Sequence, residues 1–343
     1  MEKTRAEKIS EILDSLKEPP FRLRQILSAI YREKILDYNL MSNLPLRLRQ
    51  TLAEKLGGVL SLKVVKISDG SLAKKILFAT KDGAQLETVI TKTKPFVCLS
   101  SMSGCNLGCR FCSTASMGLV KLLTADEIID QVLYFETIEN FRGHITFMGM
   151  GEPLLNEANV FSALKILTDK NAFGYGQRKI SLSTVGIIPG IIRLGKEFPQ
   201  INLAFSLHSP FSQQRSKLMP VNKLYPLEKV MSALDHHLQI TKRKVFIAYL
   251  MLNNVNDSLK HAEGLVKMLE TRGKYSYLYH VNLIQFHSNY ERFPFTQSSP
   301  EKLKAFSNFL SAHKVNFTLR KSFGEDIHAA CGQLCLKNKP ALL

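Results

Sequence analysis

The sequence has no apolar run long enough to cross a membrane and no apolar leader. A membrane-spanning helix needs about 18 consecutive apolar residues. The chain begins with the charged, amphipathic stretch MEKTRAEKISEILDSLKE, which lacks the apolar centre of a signal peptide. Internal repeats and low-complexity segments are also absent from the sequence. We therefore expect a cytoplasmic globular protein that does not associate with a membrane.

Acidic residues are too few to balance the basic ones. The chain has 29 Asp and Glu against 46 Lys and Arg, which gives a net charge of +17. Such an excess favours a polyanionic partner such as nucleic acid, although solubility alone is the plainer explanation. The arginines of the N-terminal helical patterns fit solvated helix faces and an RNA-docking surface equally well. These arginines are Arg22, Arg24, Arg32, Arg47 and Arg49.

Apolar periodicity separates a helical start from a region of alternating strands and helices. Helical spacing covers 5–16, 21–33 and 45–56, and the runs at 60–67, 75–80 and 86–91 predict a small antiparallel sheet. From Phe96 onward, seven candidate strands alternate with helical patterns, which is typical of parallel βαβ units. The predicted fold class is α/β, a partial (β/α) barrel core with a small N-terminal helical accessory domain.

The same patterns predict four parts of the chain. Residues 1–58 would form a helical RNA-docking domain, 59–94 a small β linker, 95–336 the barrel core and 337–343 a mobile tail. Unusual residues follow the ends of the predicted strands, at 105–112, 149–152, 183–186, 206–208 and 285–287. Because (β/α) barrels build their active sites at the carboxyl ends of the strands, we expect the functional site there.

Three cysteines form the pattern Cys105-x3-Cys109-x2-Cys112, with Cys98 just upstream. In a reducing compartment, clustered cysteines more often bind metal than form disulfides. Three thiolates can hold one soft metal centre and leave a coordination position open. Structural zinc with Cys98 as the fourth ligand is the alternative, but no second C-x2-C knuckle is present to pair with the first.

Several motifs together resemble a known family. The pattern C-x3-C-x2-C after the first barrel strand resembles the cysteine motif of the radical SAM superfamily. The complete set resembles the RlmN/Cfr family of RNA adenine methyltransferases over nearly the whole chain. The motifs are CLSSMSGC at 98–105, FCST at 111–114, MGMGEP at 148–153, LST at 182–184, SLH at 206–208 and DIHAACGQL at 326–334.

The resemblance implies two cofactors, a [4Fe–4S] cluster and S-adenosylmethionine (SAM). Cys105, Cys109 and Cys112 would bind the cluster, and its open iron would bind SAM. The residues implied as SAM contacts are Gly151, Glu152, Ser183, Ser206, Leu207, His208 and His287. At the last of these positions the family usually has Asn, so this sequence departs from the pattern at His287.

The resemblance also implies roles for residues outside the cluster motif. Cys331 is similar to the cysteine that carries a methyl group to the base and forms a covalent adduct with the RNA. Cys98 is similar to the cysteine that breaks this adduct by forming a disulfide with Cys331. Glu87 is similar to the proposed proton acceptor, the alternative being a surface strand carboxylate. Cys335 has no counterpart and is expected to be an exposed tail thiol.

The implied substrate is an adenosine in the peptidyl-transferase centre of 23S rRNA. Cfr-like enzymes methylate C8 and confer antibiotic resistance, whereas RlmN-like enzymes methylate C2 and also modify tRNA. The motifs SLHSP, RSKLMP and IAY favour C8, and GEP and FCST favour C2; we expect C8. An electron donor such as flavodoxin or ferredoxin is implied, and we expect a monomer.

Part of the positive charge of the chain could hold RNA phosphates. The residues concerned are Lys92, Lys94, Lys242, Arg243, Lys244, Arg320 and Lys321. Two other classes of protein remain open from the sequence. One is a radical SAM enzyme that acts on a small molecule, and the other is a non-enzymatic zinc protein that binds RNA.

Overall fold

The computed structural model describes residues 3–287 and 293–335 of the chain. The predicted tail at 337–343, and residue 336 at the end of the predicted core, lie outside the described residues. Within the described residues, no helix combines the length and the apolar character needed to span a bilayer.

The described chain begins with three amphipathic helices, α1 (Arg5–Leu16), α2 (Phe21–Tyr31) and α3 (Leu46–Leu56). At the start of α1, Thr4 and Glu7 form a capping box, in which each side chain accepts from the other residue's backbone N–H. Ile9 and Leu13 lie four residues apart and are buried together. The three predicted helices are confirmed, although α2 ends slightly earlier than its pattern suggested.

Strands account for much of the remaining chain. The twelve strands of the described residues are β1 (Leu62–Asp69), β2 (Ala73–Thr80), β3 (Gln85–Thr91), β4 (Phe96–Cys98), β5 (Met102–Cys105), β6 (Gly118–Leu122), β7 (His144–Phe147), β8 (Ile180–Thr184), β9 (Asn202–Ser206), β10 (Val245–Met251), β11 (Tyr279–Gln285) and β12 (Phe317–Arg320). All except β5 and β6 form one sheet, in the order β1-β2-β3-β4-β7-β8-β9-β10-β11-β12.

The sheet has an antiparallel part and a parallel part. β1 to β4 are antiparallel neighbours, whereas β4 and the strands from β7 to β12 are parallel. The parallel part is the predicted partial barrel. The three linker strands are antiparallel as predicted, but they do not form a separate sheet, because β3 pairs with β4 and thereby satisfies its backbone edge.

Seven further α-helices follow in chain order. They are α4 (Ala125–Ile138), α5 (Glu157–Thr168), α6 (Ile188–Glu197), α7 (Ser212–Leu218), α8 (Leu227–Thr241), α9 (Leu259–Glu270) and α10 (Pro300–Ala312). The apolar pattern did not predict α6, α7 or the β5–β6 hairpin. Pro and Gly obscure the pattern of α6, and Gly190 leaves room for Leu154, whose Cβ would lie 2.8 Å from a Cβ at that position.

The buried ion pair between Arg5 and Asp130 connects the N-terminal helices to the barrel. Arg5 Nη2 of α1 donates to both carboxylate oxygens of Asp130 in α4, at 2.6 and 2.7 Å. Asp130 also accepts from the backbone and hydroxyl of Ser61, at 2.7 and 2.6 Å. Tyr31 of α2 accepts from Arg5 Nη1 at 3.0 Å, so that the pair joins three parts of the chain.

Replacing Arg5 with Met should lower the free energy of unfolding by about 3 kcal/mol, because Asp130 would stay buried without its counter-charge. Urea unfolding followed by circular dichroism measures the change. Adding Asp130→Asn removes the stranded charge and keeps an acceptor for Ser61, so the double variant should recover part of the loss. A double variant less stable than Arg5→Met alone would contradict this explanation.

Candidate active site at the rim of the barrel

Ten of the thirteen predicted site residues line one cavity of about 250 Å³. It lies at the carboxyl ends of the parallel strands, which we call the rim. The residues that line it are Cys98, Cys105, Cys109, Cys112, Gly151, Glu152, Ser183, Ser206, His208 and Cys331. Glu87, Leu207 and His287 do not belong to the lining.

The three motif cysteines lie at the end of β5 and on the loop that joins β5 to β6. Cys105 ends β5, and the Cys112 backbone N–H donates to the Cys109 carbonyl at 3.2 Å, which folds the loop back on itself. Gly104 has φ of +78° and lies so close to β6 that a Cβ there would be 1.9 Å from the Gly118 oxygen. Only glycine fits this irregular position of β5, where the pairing with β6 shifts register just before Cys105.

Burial opposes ionisation of all three thiols. It raises the pKa of Cys105 to about 11, and it raises the pKa values of Cys109 and Cys112 as well. Charge on Cys112 would raise the pKa of Cys105 and Cys109 further, because these thiols face one another. Three such thiolates need a strongly positive centre between them, which a metal cluster supplies.

The described residues contain no group of three His, Cys, Asp or Glu side chains arranged to hold a single metal ion. An iron–sulfur cluster is larger than one ion and separates its cysteine ligands more widely, so the two observations are compatible. Three soft donors on one wall of a cavity, with Glu152, Ser183 and His208 also lining it, fit a [4Fe–4S] cluster with one open iron.

Glu152 is the buried carboxylate of the site, with 3% of its surface exposed. Its two oxygens accept from the backbone N–H groups of Leu154 at 3.1 Å and Val185 at 2.9 Å. Burial nevertheless raises its pKa to about 7. Since a carboxylate offers about four lone-pair sites, Glu152 can also accept from an ammonium group placed in the cavity.

Gly151 makes room beside this carboxylate. Its φ is +95°, and a Cβ there would lie 2.5 Å from the Met102 side chain. Across the rim, the hydroxyls of Ser183 and Ser206 are 3.4 Å apart, at the ends of β8 and β9. Both hydroxyls can donate or accept, so the two strand ends offer adaptable polar contacts.

His208 presents a neutral imidazole to the cavity. Its Nδ1 accepts from the Leu250 backbone N–H at 3.0 Å, which assigns the proton to Nε2. Burial, reinforced by the Arg215 charge, lowers the pKa of His208 to about 3. Asn256 donates to the His208 carbonyl at 2.7 Å and so supports its left-handed backbone, with φ of +55°.

Cys98 and Cys331 approach the cavity from opposite ends of the sequence. Burial raises the pKa of Cys98 to about 12, and charge on Cys331 would raise it further, whereas Arg320 acts to lower it. Cys331 is exposed, and no disulfide joins any two of the six cysteines in the described residues. The predicted disulfide is therefore not formed in this state, although both of its thiols face the same space.

Glu87 lies behind the cavity and not in it. Its carboxylate lies 2.9 Å from Lys75 Nζ and accepts from the Cys335 backbone N–H at 2.9 Å. Lys75 in turn donates to the His328 carbonyl at 3.0 Å. With 6% of its surface exposed, Glu87 is not the surface carboxylate that was the alternative expectation.

These contacts hold the segment 328–335, which carries Cys331, against the sheet. From the cysteine loop, Ser113 donates its N–H to Gly332 O at 2.8 Å and Thr114 donates its hydroxyl to Leu334 O at 2.7 Å. Cys335 is buried, so the expectation of an exposed tail thiol is wrong. The segment packs inward because its backbone groups find partners on β2, β3 and the cysteine loop.

The structure places two predicted SAM contacts outside the cavity. His287 Nε2 hydrogen-bonds Ser322 at 2.6 Å, and its Nδ1 lies 2.9 Å from the Glu325 carboxylate. These groups on the loop after β12 hold the ring away from the rim. Leu207 is fully buried, because its side chain joins the apolar core, and its backbone N–H donates to the Ala248 carbonyl of β10 at 3.0 Å.

Sequence reasoning missed Asn282 and Phe323 as lining residues and Arg215 as a buried support. Asn282 lies two residues before the lining residue Ile284, so strand alternation could have found it. Arg320 and Lys321, which were predicted only as phosphate-binding charges, also line the cavity.

Comparison with known proteins agrees with this geometry. Residues 99–265 match the Radical SAM superfamily, and residues 3–57 match the Ribosomal RNA large subunit methyltransferase N-terminal domain. The chain is 47% identical over 341 residues to the Ribosomal RNA large subunit methyltransferase Cfr of Clostridium botulinum, covering 98% of both chains. It is 45% identical over 344 residues to the Cfr of Staphylococcus aureus, covering 97% of this chain and 96% of the other.

The solved structures give the same result. The crystal structure of a radical SAM methyltransferase from Sphaerobacter thermophilus matches with a TM-score of 0.90 and 38% identity, over 97% of each chain. The similarity thus covers the helical domain, the barrel and the Cys331 segment together. This chain belongs to the RlmN/Cfr family of radical SAM methyltransferases and is Cfr-like within it.

Proposed function

We propose that this enzyme methylates C8 of an adenosine in the peptidyl-transferase centre of 23S rRNA, in the cytoplasm. The observation that carries the proposal is the meeting of five cysteines, three of the cluster motif together with Cys98 and Cys331, on one cavity. The similarity to proteins named as Cfr rRNA methyltransferases supports the substrate class. By the same similarity, we propose that the enzyme confers resistance to antibiotics that act at this centre.

The residues that would hold the cofactors follow from the lining. Cys105, Cys109 and Cys112 would bind the [4Fe–4S] cluster, and Glu152 would accept from the amino group of SAM. Ser183, Ser206 and the Nε2–H of His208 offer the remaining polar contacts on the same rim. When bound, the cluster supplies one electron to SAM, which provides both the methyl group and the radical chemistry. We propose flavodoxin or ferredoxin as the electron donor. We also propose that the enzyme is a monomer.

Cys331 would carry the methyl carbon as a thioether and present it to the base. Adenine ring carbons are poor nucleophiles, so a covalent protein–RNA adduct divides one difficult transfer into easier steps. The Cys98 thiolate would then attack the Cys331 sulfur and form a disulfide. The electron pair of the broken carbon–sulfur bond would remain on carbon, which takes up a proton, and a thiol reductant would later restore both cysteines.

Glu87 remains our proposed acceptor of the ring proton, under one condition set by its contacts. Both of its oxygens bind the chain, one to Lys75 and the other to the Cys335 N–H. Because a base must come within hydrogen-bond reach of its proton, this role requires segment 328–335 to move when RNA enters. Arg320 and Lys321, at the mouth of the same cavity, are placed to bind the phosphates of that RNA.

Mass spectrometry of the target rRNA fragment tests the reaction directly. After anaerobic incubation with SAM, reductant and the cluster-loaded protein, we expect a methylated adenosine that co-elutes with the C8 standard. The C2 product would show RlmN-type chemistry, which the motifs GEP and FCST favour. Methylation of tRNA alone, or no RNA methylation by a protein with an intact cluster, would reject the rRNA substrate.

Two cysteine variants should fail in different ways. Replacing Cys331 with Ala should abolish methyl transfer and leave the cluster intact, because the methyl carrier is lost. Replacing Cys98 with Ala should trap an RNA–protein adduct that migrates as a crosslinked band on a denaturing gel. Cys335→Ala is the matched control and should retain turnover, since this thiol does not line the cavity. Multiple turnover by either of the first two variants would reject the covalent mechanism.

Replacing Lys75 with Met should loosen segment 328–335, because Glu87 loses its buried partner and the His328 carbonyl loses its donor. We expect faster amide hydrogen exchange in this segment, together with a lower kcat for methyl transfer. The matched control is Lys74→Met on the same strand, which breaks the Lys74–Glu139 pair at 2.7 Å on the other face.

Equal exchange in the two lysine variants would contradict the anchoring role of Lys75. Glu87→Gln separates anchoring from proton transfer, because Gln still accepts from the Cys335 N–H but is no base. Preserved protection with lost turnover would support the proton-acceptor role, and preserved turnover would reject it.

A further inference from the structure

Arg215 of α7 is the largest fully buried side chain in the described part of the protein, with 0% of its surface exposed. Its guanidinium lies over the ring of Phe205 at 5.1 Å from the ring centre. Charged side chains are almost never fully buried without a partner of opposite charge.

The guanidinium binds only neutral oxygens. Nη2 donates to the carbonyls of Val185 at 2.7 Å and Ser206 at 3.1 Å, and Nε donates to the carbonyl of Leu207 at 3.2 Å. Nη1 donates to the side-chain oxygen of Asn222 at 2.7 Å. Three of these four oxygens belong to the rim, at or just after the ends of β8 and β9.

No carboxylate of the described residues forms an ion pair with this guanidinium; its hydrogen-bond partners are the four oxygens above. Burial lowers the pKa of Arg215 only to about 10, so the side chain stays protonated at neutral pH. A buried charge without a counter-charge costs several kcal/mol. The Arg215 guanidinium has its hydrogen bonds satisfied, but none of these partners carries a negative charge. Its positive charge would therefore be stabilised by an anion nearby.

The cysteine side of the cavity would supply that anion. Val185 and Ser206, whose carbonyls Arg215 binds, line the same cavity as Cys109 and Glu152. The cysteine loop also contacts α7, the helix that carries Arg215, because the Arg110 backbone N–H donates to the Leu218 carbonyl at 3.0 Å. A [4Fe–4S] cluster held by three thiolates carries a net negative charge, and that charge grows by one unit when the cluster is reduced.

We propose that Arg215 is a positioning residue that acts as the built-in counter-charge of the cluster and favours its reduced state. Arg215 lies behind the rim, and its charge would act on the cluster across the strand ends. Its hydrogen bonds to the carbonyls of Val185, Ser206 and Leu207 also orient those strand ends. The inference rests on the proposed function, since it requires a cluster on Cys105, Cys109 and Cys112. The electron itself comes from the external donor, and Arg215 neither gains nor loses a proton.

The test is the midpoint potential of the cluster-loaded full chain, measured by an electron paramagnetic resonance titration without RNA. At a fixed solution potential, Arg215→Met should lower the ratio of reduced to oxidised cluster about tenfold, which is a midpoint about 59 mV more negative. Arg215→Lys keeps the charge and should shift the midpoint less. Arg193→Met is the matched control, because Arg193 also lies over a phenylalanine ring, at 4.3 Å, but is paired with Glu157 and Glu197.

Asn222→Asp separates charge from packing. It places a carboxylate where Arg215 already donates a hydrogen bond and so neutralises the charge of Arg215, at the cost of the hydrogen bonds that Asn222 Nδ2 donates to Ser212 and Ser216. We expect a shift in the same direction as in Arg215→Met. This variant also keeps the proposal open to refutation if Arg215→Met does not fold.

Each outcome decides the proposal. An unchanged midpoint in Asn222→Asp, and in Arg215→Met where that variant folds, together with lowered thermal stability, would show that Arg215 has a structural role only and would overturn the proposal. A wild-type protein that binds no iron and sulfide would reject both this inference and the proposed function. A wild-type cluster whose potential does not respond to these variants would reject the inference alone.

Discussion

Parallel strands that enter a sheet from the same side must end on the same edge, and the remaining features of this molecule depend on that constraint. β4 and the strands from β7 to β12 all end at one rim. The loops that leave those ends come from distant parts of the chain. Cysteines, a carboxylate, hydroxyls and an imidazole that are far apart in sequence therefore face one cavity.

The loops at the rim are held by buried side chains that bind backbone. Gln131 of α4 accepts from the Ser100 N–H at 2.9 Å and donates to the Ser100 carbonyl at 2.9 Å, just after β4. Asn156 donates to the carbonyls of Ser101 at 2.9 Å and Leu123 at 2.7 Å. Irregular backbone that lies next to an apolar core needs such partners, because unpaired buried groups cost free energy. Arg215 does the same for the ends of β8 and β9, with a charge in addition.

The Cys331 segment completes the site from outside the barrel strands. After β12 the chain returns toward β2 and β3, where Lys75 and Glu87 bind it, and toward the cysteine loop, where Thr114 binds it. The antiparallel strands β2 and β3 therefore support the segment that carries Cys331. This attachment consists of a few polar contacts, most of them between buried groups.

Sequence by itself determined the elements and the chemistry. Three- and four-residue spacing located α1 to α5 and α8 to α10, and the Cys105–Cys112 pattern with the family motifs selected the five cysteines that line the cavity. These features are local, because each depends on a few neighbouring residues. The same reasoning failed at α6 and α7, where Pro, Gly and polar residues hide the helical period.

Tertiary structure alone decided which polar groups meet. The sequence placed Glu87 and His287 in the site by analogy, but their side chains bind Lys75 and the Cys335 N–H, and Ser322 and Glu325, across long sequence separations. It gave no sign that Arg215, one basic residue among 46, would be fully buried behind the rim. The burial of a side chain and its hydrogen-bond or ion-pair partners depend on distances between residues that are far apart in the chain. A local sequence pattern contains no information on those distances.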